Sequence, residues 1–210
     1  MSDVPTRSLF EGPVAFVDVE TSGGTIRDHH IIELAVVAAT GGALDFEWST
    51  LIDPGWSIPP GVQRCTGITD EMVRRAPSFA QIADELLERL AGRVFIAHNV
   101  AFDYRFVRAE LARTGHGWLS ERACTVRLSR RLYPSMPRHT LDYLIARHGL
   151  VCERRHRALS DARVLWQFWN VLRAEQQAEH VEQALAAIVR TKPRRPLRRV
   201  IRFEADQSAA

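Results

Sequence analysis

The chain has 210 residues, 46% of them hydrophobic and 25% charged, with a formal net charge of +3. That is enough apolar chain for the core of one ordinary domain; no run of roughly 18 apolar residues is present to span a membrane, and Cys65, Cys124 and Cys152 lie far apart without a CxxC pair, which argues against a zinc knuckle or a disulfide framework. With reduced thiols and no apolar signal core in MSDVPTRSLFEG, a cytoplasmic protein is expected.

Residues 14–19, VAFVDV, form a continuous apolar run, the pattern of a strand covered on both faces. Residues 30–39 and 44–53 read as two more strands, with a hairpin turn at Thr40–Gly42 between them. The stretch 53–61 is dense in proline and glycine and reads as a loop. Helical periodicity begins at Ser78: Phe79, Ile82, Ala83, Leu86, Leu87 and Leu90 share one face, and Gly92 stops the run. A short strand follows at 93–97, a helix opens near residue 100, and further helices are expected near 125–133, 139–148 and 159–187. The last carries Leu159, Ala162, Leu165, Trp166, Trp169 and Leu172 on one stripe, expected to be core. The order β-β-β-α-β-α-α-α points to an α/β domain whose mixed sheet is antiparallel first and parallel later.

Two carboxylates interrupt the end of the first strand. Asp18 and Glu20 are two residues apart, so a strand presents both on one face. Such a pair repels and raises its own pKa values unless a multivalent cation holds it, and an oxygen-only ligand set favours Mg²⁺ or Mn²⁺. Taken alone, the pair also reads as two solvated side chains. Asp103 lies five residues after His98 in AHNVAFDYRFV, and Asp161 five after His156 in HRALSDA. Each aspartate by itself also reads as a favourable acid in a first helical turn.

Taken in order, VDVET, IIELA, GITDEM, AHNVAFDYRFV and HRALSDA resemble the DEDDh exonucleases of the DnaQ-like superfamily, which includes RNase T and the proofreading epsilon subunit of bacterial DNA polymerase III. The resemblance covers about residues 13–172. It implies a ribonuclease H-like fold, a central mixed five-stranded sheet flanked by helices. It also implies a 3′→5′ exonuclease that releases nucleoside 5′-monophosphates from single-stranded ends. The implied metal ligands are Asp18, Glu20, Asp103 and Asp161, holding two divalent cations, Mg²⁺ or Mn²⁺, with His156 as general base. Two ions about 3.5–4 Å apart stabilise both the attacking and the leaving oxygen of an in-line displacement. Thr21, through its backbone amide, and His98, Asn99 and Phe102 are the implied substrate contacts, Phe102 reading equally well as core. Glu33, polar within an apolar strand, is expected to be structural.

The preference for DNA follows from likeness to epsilon-type members. The rival readings are an exoribonuclease for RNA ends or short oligoribonucleotides, and a non-catalytic nucleic-acid-binding domain. TGIT (Thr66–Thr69) stands where many relatives have HGIT, and Cys124-Thr125 where many have DT. Cys124 reads as a small buried residue.

The sequence therefore divides into an N-terminal extension (1–12), an exonuclease domain (13–189) and a C-terminal tail (190–210). Residues 190–202, RTKPRRPLRRVIR, carry seven basic residues and no acid, leaving the body slightly acidic. Such a tail suits single-stranded nucleic acid, or docking to a replication or repair protein, and reads equally as a solvated end.

Overall fold

The computed structural model describes residues 8–189; the basic segment 190–202 and the roles expected of it lie outside them. Five strands, β1 (Pro13–Thr21), β2 (Ile31–Thr40), β3 (Ala43–Leu51), β4 (Val94–Ala97) and β5 (Arg122–Cys124), form one sheet in the order β3-β2-β1-β4-β5. β1 pairs antiparallel with β2 and parallel with β4; β2–β3 is antiparallel and β4–β5 parallel. This is the mixed sheet expected from the element order. The β2–β3 turn uses Gly41 and Gly42, both at positive φ (57° and 82°), which glycine adopts without Cβ strain.

Eight helices are described: α1 (Pro60–Thr66), α2 (Asp70–Val73), α3 (Phe79–Leu90), α4 (Ala101–Arg113), α5 (Thr125–Leu132), α6 (Leu141–His148), α7 (Ala158–Glu175) and α8 (Ala178–Ala186). Alternation along β1 divides the core into two layers. Val14 and Phe16 face α7 and its neighbours, where Phe16 meets the edge of Trp169 at 5.6 Å between ring centroids. Ala15, Val17 and Val19 face α3 and α4, against Leu86, Phe106 and Val107. Phe16 is fully buried, which stabilises by about 1.5–3 kcal/mol for a side chain of this size. The tryptophan and leucine stripe of α7 is core as expected: Ala162, Leu165, Trp169 and Leu172 are buried, and Leu159 and Trp166 pack against them.

Four features differ from the sequence reading. α1 starts at Pro60, inside the stretch read as a loop, with proline in its first turn. α2 is a single turn, too short for periodicity to register. β5 has three residues, one of them Arg122. The long helix expected over 159–187 breaks at Gln176, whose backbone is extended (φ −118°, ψ 151°). Nothing in AEQQAEH forbids a helix; packing makes the break. α8 folds back so that Val181 and Leu185 are buried, and its Glu182 accepts hydrogen bonds from Ser8 Oγ, Leu9 N and Phe10 N. No helix among the described residues is long and apolar enough to cross a membrane.

Candidate active site

The site forms where neighbouring strands stop at different heights. β1 pairs with β4 only as far as Phe16↔Ile96, and β4 ends at Ala97. Asp18, Val19 and Glu20 run past that end. On the other side they stay paired with β2, Asp18↔Ala35 and Glu20↔Glu33. The Val19 N–H is thereby free to donate to Asp103 Oδ1 at 3.3 Å. Asp103 reaches it because the chain turns through Asn99, at φ 62°, and enters α4 two residues before the aspartate. Asp18 and Glu20 share the face of Phe16, which α7 covers. Asp161 in the first turn of α7 therefore faces them from above. The crevice lies outside the carboxyl ends of parallel strands, where open α/β sheets hold their ligands.

Four carboxylates in one crevice change one another. Asp18 is raised well above its ordinary value by burial, then by the negative charges of Asp103, Asp161 and Glu20. Glu20 is pushed up to about 8, first by burial and then by Asp161, Glu33 and Asp103. Asp103 rises to about 7 through burial, and Asp161 is raised by burial against the lowering influence of Arg155. The arrangement is an anion-rich cage in need of positive charge. Glu20, His156 and Asp161 each offer a ligand atom, all within 4.8 Å of one another. Carboxylate oxygens with at most one imidazole suit a hard divalent cation, so the residues present fit the implied metal.

His156 is exposed and sits at φ 59°, a left-handed conformation uncommon outside glycine. Neighbours on both sides hold it there. Its own N–H donates to Asp161 Oδ2 at 3.2 Å. Arg157, at the N-cap of α7, grips buried Glu33: Nε lies 3.1 Å from both carboxylate oxygens and Nη2 2.7 Å from Oε1. The Ala158 N–H donates to Glu33 Oε2 at 2.9 Å. Glu33 is structural, as expected.

Arg155, on the other side of His156, donates to Asp161 Oδ2 and, at 2.5 Å, to Asp142 Oδ1. Burial disfavours its charge, but these two carboxylates more than offset that and raise its pKa. Sequence reasoning passed over Arg155 and Arg157. The signal available was the run ERRHR, basic residues crowded around the candidate histidine beside an acidic crevice. Cys152 was also missed; its Sγ lies 3.8 Å from Asp161 Oδ1.

The expected substrate contacts lie on the rim. The Thr21 hydroxyl donates to Gly23 O at 2.8 Å, and a β-bulge falls between Glu20 and Thr21. His98 Nδ1 lies 2.9 Å from Thr125 Oγ1, and burial followed by the charge of Arg155 lowers its pKa to about 4, so the ring is neutral. Asn99 is exposed. Phe102 is partly buried and tilted against Phe106 at 4.9 Å between ring centroids. Cys124 is buried, as expected.

Comparison with known proteins gives the family and the fold. The profile of the exonuclease family typified by RNase T matches residues 15–168. The chain belongs to this exonuclease family. Among relatives, the DNA polymerase III subunit epsilon of Treponema pallidum (strain Nichols) is 34% identical over 164 residues, 76% of each chain. The 3′-5′ exonuclease DinG of Bacillus subtilis (strain 168) is 36% identical over 150 residues, 70% of this exonuclease but 16% of that longer protein. Exonuclease X, solved in complex with 5′-overhanging duplex DNA, superposes with a TM-score of 0.63 at 24% identity, over 82% of this chain and 99% of that one. The structural likeness establishes the fold, the ribonuclease H-like sheet expected from the motifs.

Proposed function

We propose that this exonuclease removes nucleotides one at a time from single-stranded DNA 3′ ends, in the 3′→5′ direction, with two divalent cations, Mg²⁺ or Mn²⁺. The observation that carries the reading is the convergence of Asp18, Glu20, Asp103 and Asp161, from β1, α4 and α7, into one crevice where each is raised in pKa. Family membership and the names of the epsilon and DinG relatives support the polarity and the choice of DNA.

Asp18, Glu20 and Asp161 would hold one ion, and Asp18 with Asp103 the other. Two such ions supply activation of water and neutralisation of charge on the leaving oxygen. The protein's own steps follow from its geometry. His156 stands at the mouth, where an imidazole nitrogen can accept the proton of the attacking water. Its left-handed backbone, tied through Asp161 and the Arg157–Glu33 pair, holds the ring over the acids. Water adds across the bond between phosphorus and the 3′ oxygen; the hydroxyl goes to phosphorus and a proton to the 3′ oxygen. The products are a nucleoside 5′-monophosphate and a strand one unit shorter with a free 3′ hydroxyl. Thr21, His98, Asn99 and Phe102 would position the terminal nucleotide.

The test is digestion of 5′-labelled single-stranded DNA and a matched RNA, with Mg²⁺, with Mn²⁺ and with EDTA. A ladder shortening from the 3′ end of the DNA, abolished by EDTA, is expected. Internal cleavage, or faster loss of the RNA, would overturn the reading.

A further inference from the structure

A cavity of about 800 Å³ opens beside the acidic crevice, walled by the β4–α4 turn, α5, the segment that follows it and the start of α6. Its size is that of a small-ligand site. Its charge is uneven: Arg130, Arg138 and Arg155 line it, against one acid, Asp142, which already accepts from Arg155 at 2.5 Å. Arg130 and Arg138 are exposed and form no ion pair with an acid among the described residues. The N-terminal end of α6 adds the positive pole of a helix, with Thr140 accepting from Tyr143 N.

Two imidazoles share the lining. His98 and His139 are both lowered in pKa, by burial first and then by an arginine, Arg155 for one and Arg130 for the other. Apolar side chains share the lining, among them Val126, Pro134, Met136 and Pro137. A surface that combines arginines with apolar groups matches a nucleotide unit, phosphate towards charge and base or sugar towards hydrocarbon. Arg155 joins the cavity to the catalytic crevice, because the same guanidinium contacts Asp161.

Building on the exonuclease reading, we infer that this cavity is a strand subsite: Arg130 and Arg138 hold the internucleotide phosphate on the 5′ side of the bond that is cut. The occupant is a phosphate of the strand being shortened. A free nucleoside monophosphate offers the same chemistry and is separated by experiment.

The test is the double variant Arg130→Ala/Arg138→Ala, with Arg130→Lys/Arg138→Lys as the charge-retaining control. Affinity for a labelled single-stranded DNA oligomer in EDTA, where nothing is cut, should fall roughly tenfold or more. The log–log salt slope should flatten by about 0.7, for the one phosphate that the two arginines hold. The lysine variant should keep most of both. With metal, KM for the oligomer should rise at unchanged kcat, and hydrolysis of thymidine 5′-(p-nitrophenyl phosphate), which has no nucleotide on that side, should not change. Unaltered oligomer affinity and slope in a variant of unchanged melting temperature would overturn the inference. So would loss of thymidine monophosphate binding with oligomer affinity intact, which makes the cavity a free-nucleotide site. If the arginines bind the strand but the wild type cuts nothing, the subsite stands and the exonuclease reading falls.

Discussion

The carboxylate of Glu33 and the guanidinium of Arg157 form a two-pronged pair, 2.7 to 3.1 Å, that ties the middle of the sheet to the start of α7. Glu33 pairs across the sheet with Glu20, while Arg157 follows His156 in the chain. One ion pair thus fixes the distance between the strand that carries two of the acids and the loop that carries the histidine. We predict that Glu33→Gln destabilises the fold by about 1–3 kcal/mol, since a neutral amide cannot satisfy both Arg157 and the Ala158 N–H. Activity should fall with it, mainly in kcat. Thermal melting beside steady-state kinetics checks this; unchanged kcat in a destabilised protein would limit the pair to a structural role.

His156→Ala should lower kcat by roughly 10²–10⁴-fold, the range for removing a positioned general base. The imidazole also lies within ligand reach of Glu20 and Asp161, so the variant separates two roles. A base leaves divalent-ion stoichiometry unchanged when removed. Titration calorimetry with Mn²⁺ that found one ion fewer in the variant would make His156 a ligand instead.

Asp18→Asn should abolish turnover with Mg²⁺ while leaving a folded protein. Asp18 is where the electrostatic influences of Asp103, Asp161 and Glu20 converge, so removing its charge relieves repulsion. The metal-free variant should melt at or above the wild-type temperature. Near-normal turnover would remove Asp18 from the metal set.

Much of this site was legible because its chemistry is concentrated in short motifs. Strand geometry alone places Asp18 and Glu20 on one face. Asp103 and Asp161 were recognisable through the order of the motifs, and α4 and α7 do bring them to the same crevice. Arg155 and Arg157 were not legible in the same way. Their partners, Asp142, Asp161 and Glu33, include acids on other elements, and nothing in local periodicity says which arginine of ERRHR turns inward. β5 escaped because three residues carry no period. The break at Gln176 escaped because tertiary packing, not propensity, imposes it.

Metal-free stability should fall with rising pH in a way that divalent ions reverse. Glu20 is pushed up to about 8 and Asp103 to about 7 in the folded protein, and Asp18 and Asp161 are also raised. An unfolded chain ionises such groups near pH 4. Between about pH 4 and pH 8 the folded state keeps protons that the unfolded state has released. The cluster's stabilising contribution is therefore complete below about pH 4 and is lost as pH rises through about 7 and 8. His98 works in the opposite direction: its folded pKa is about 4 against an ordinary 6.5, so its contribution is lost as pH falls below about 6.5. Melting in EDTA between about pH 6.5 and 8.5 isolates the carboxylates. There the wild type should lose several degrees, Asp18→Asn should lose less, and saturating Mg²⁺ should raise the melting temperature more at the alkaline end, where more of the four carboxylates are ionised. A flat profile in EDTA, or a Mg²⁺ effect equal at both ends, would mean that the four carboxylates do not share protons or metal in the folded protein.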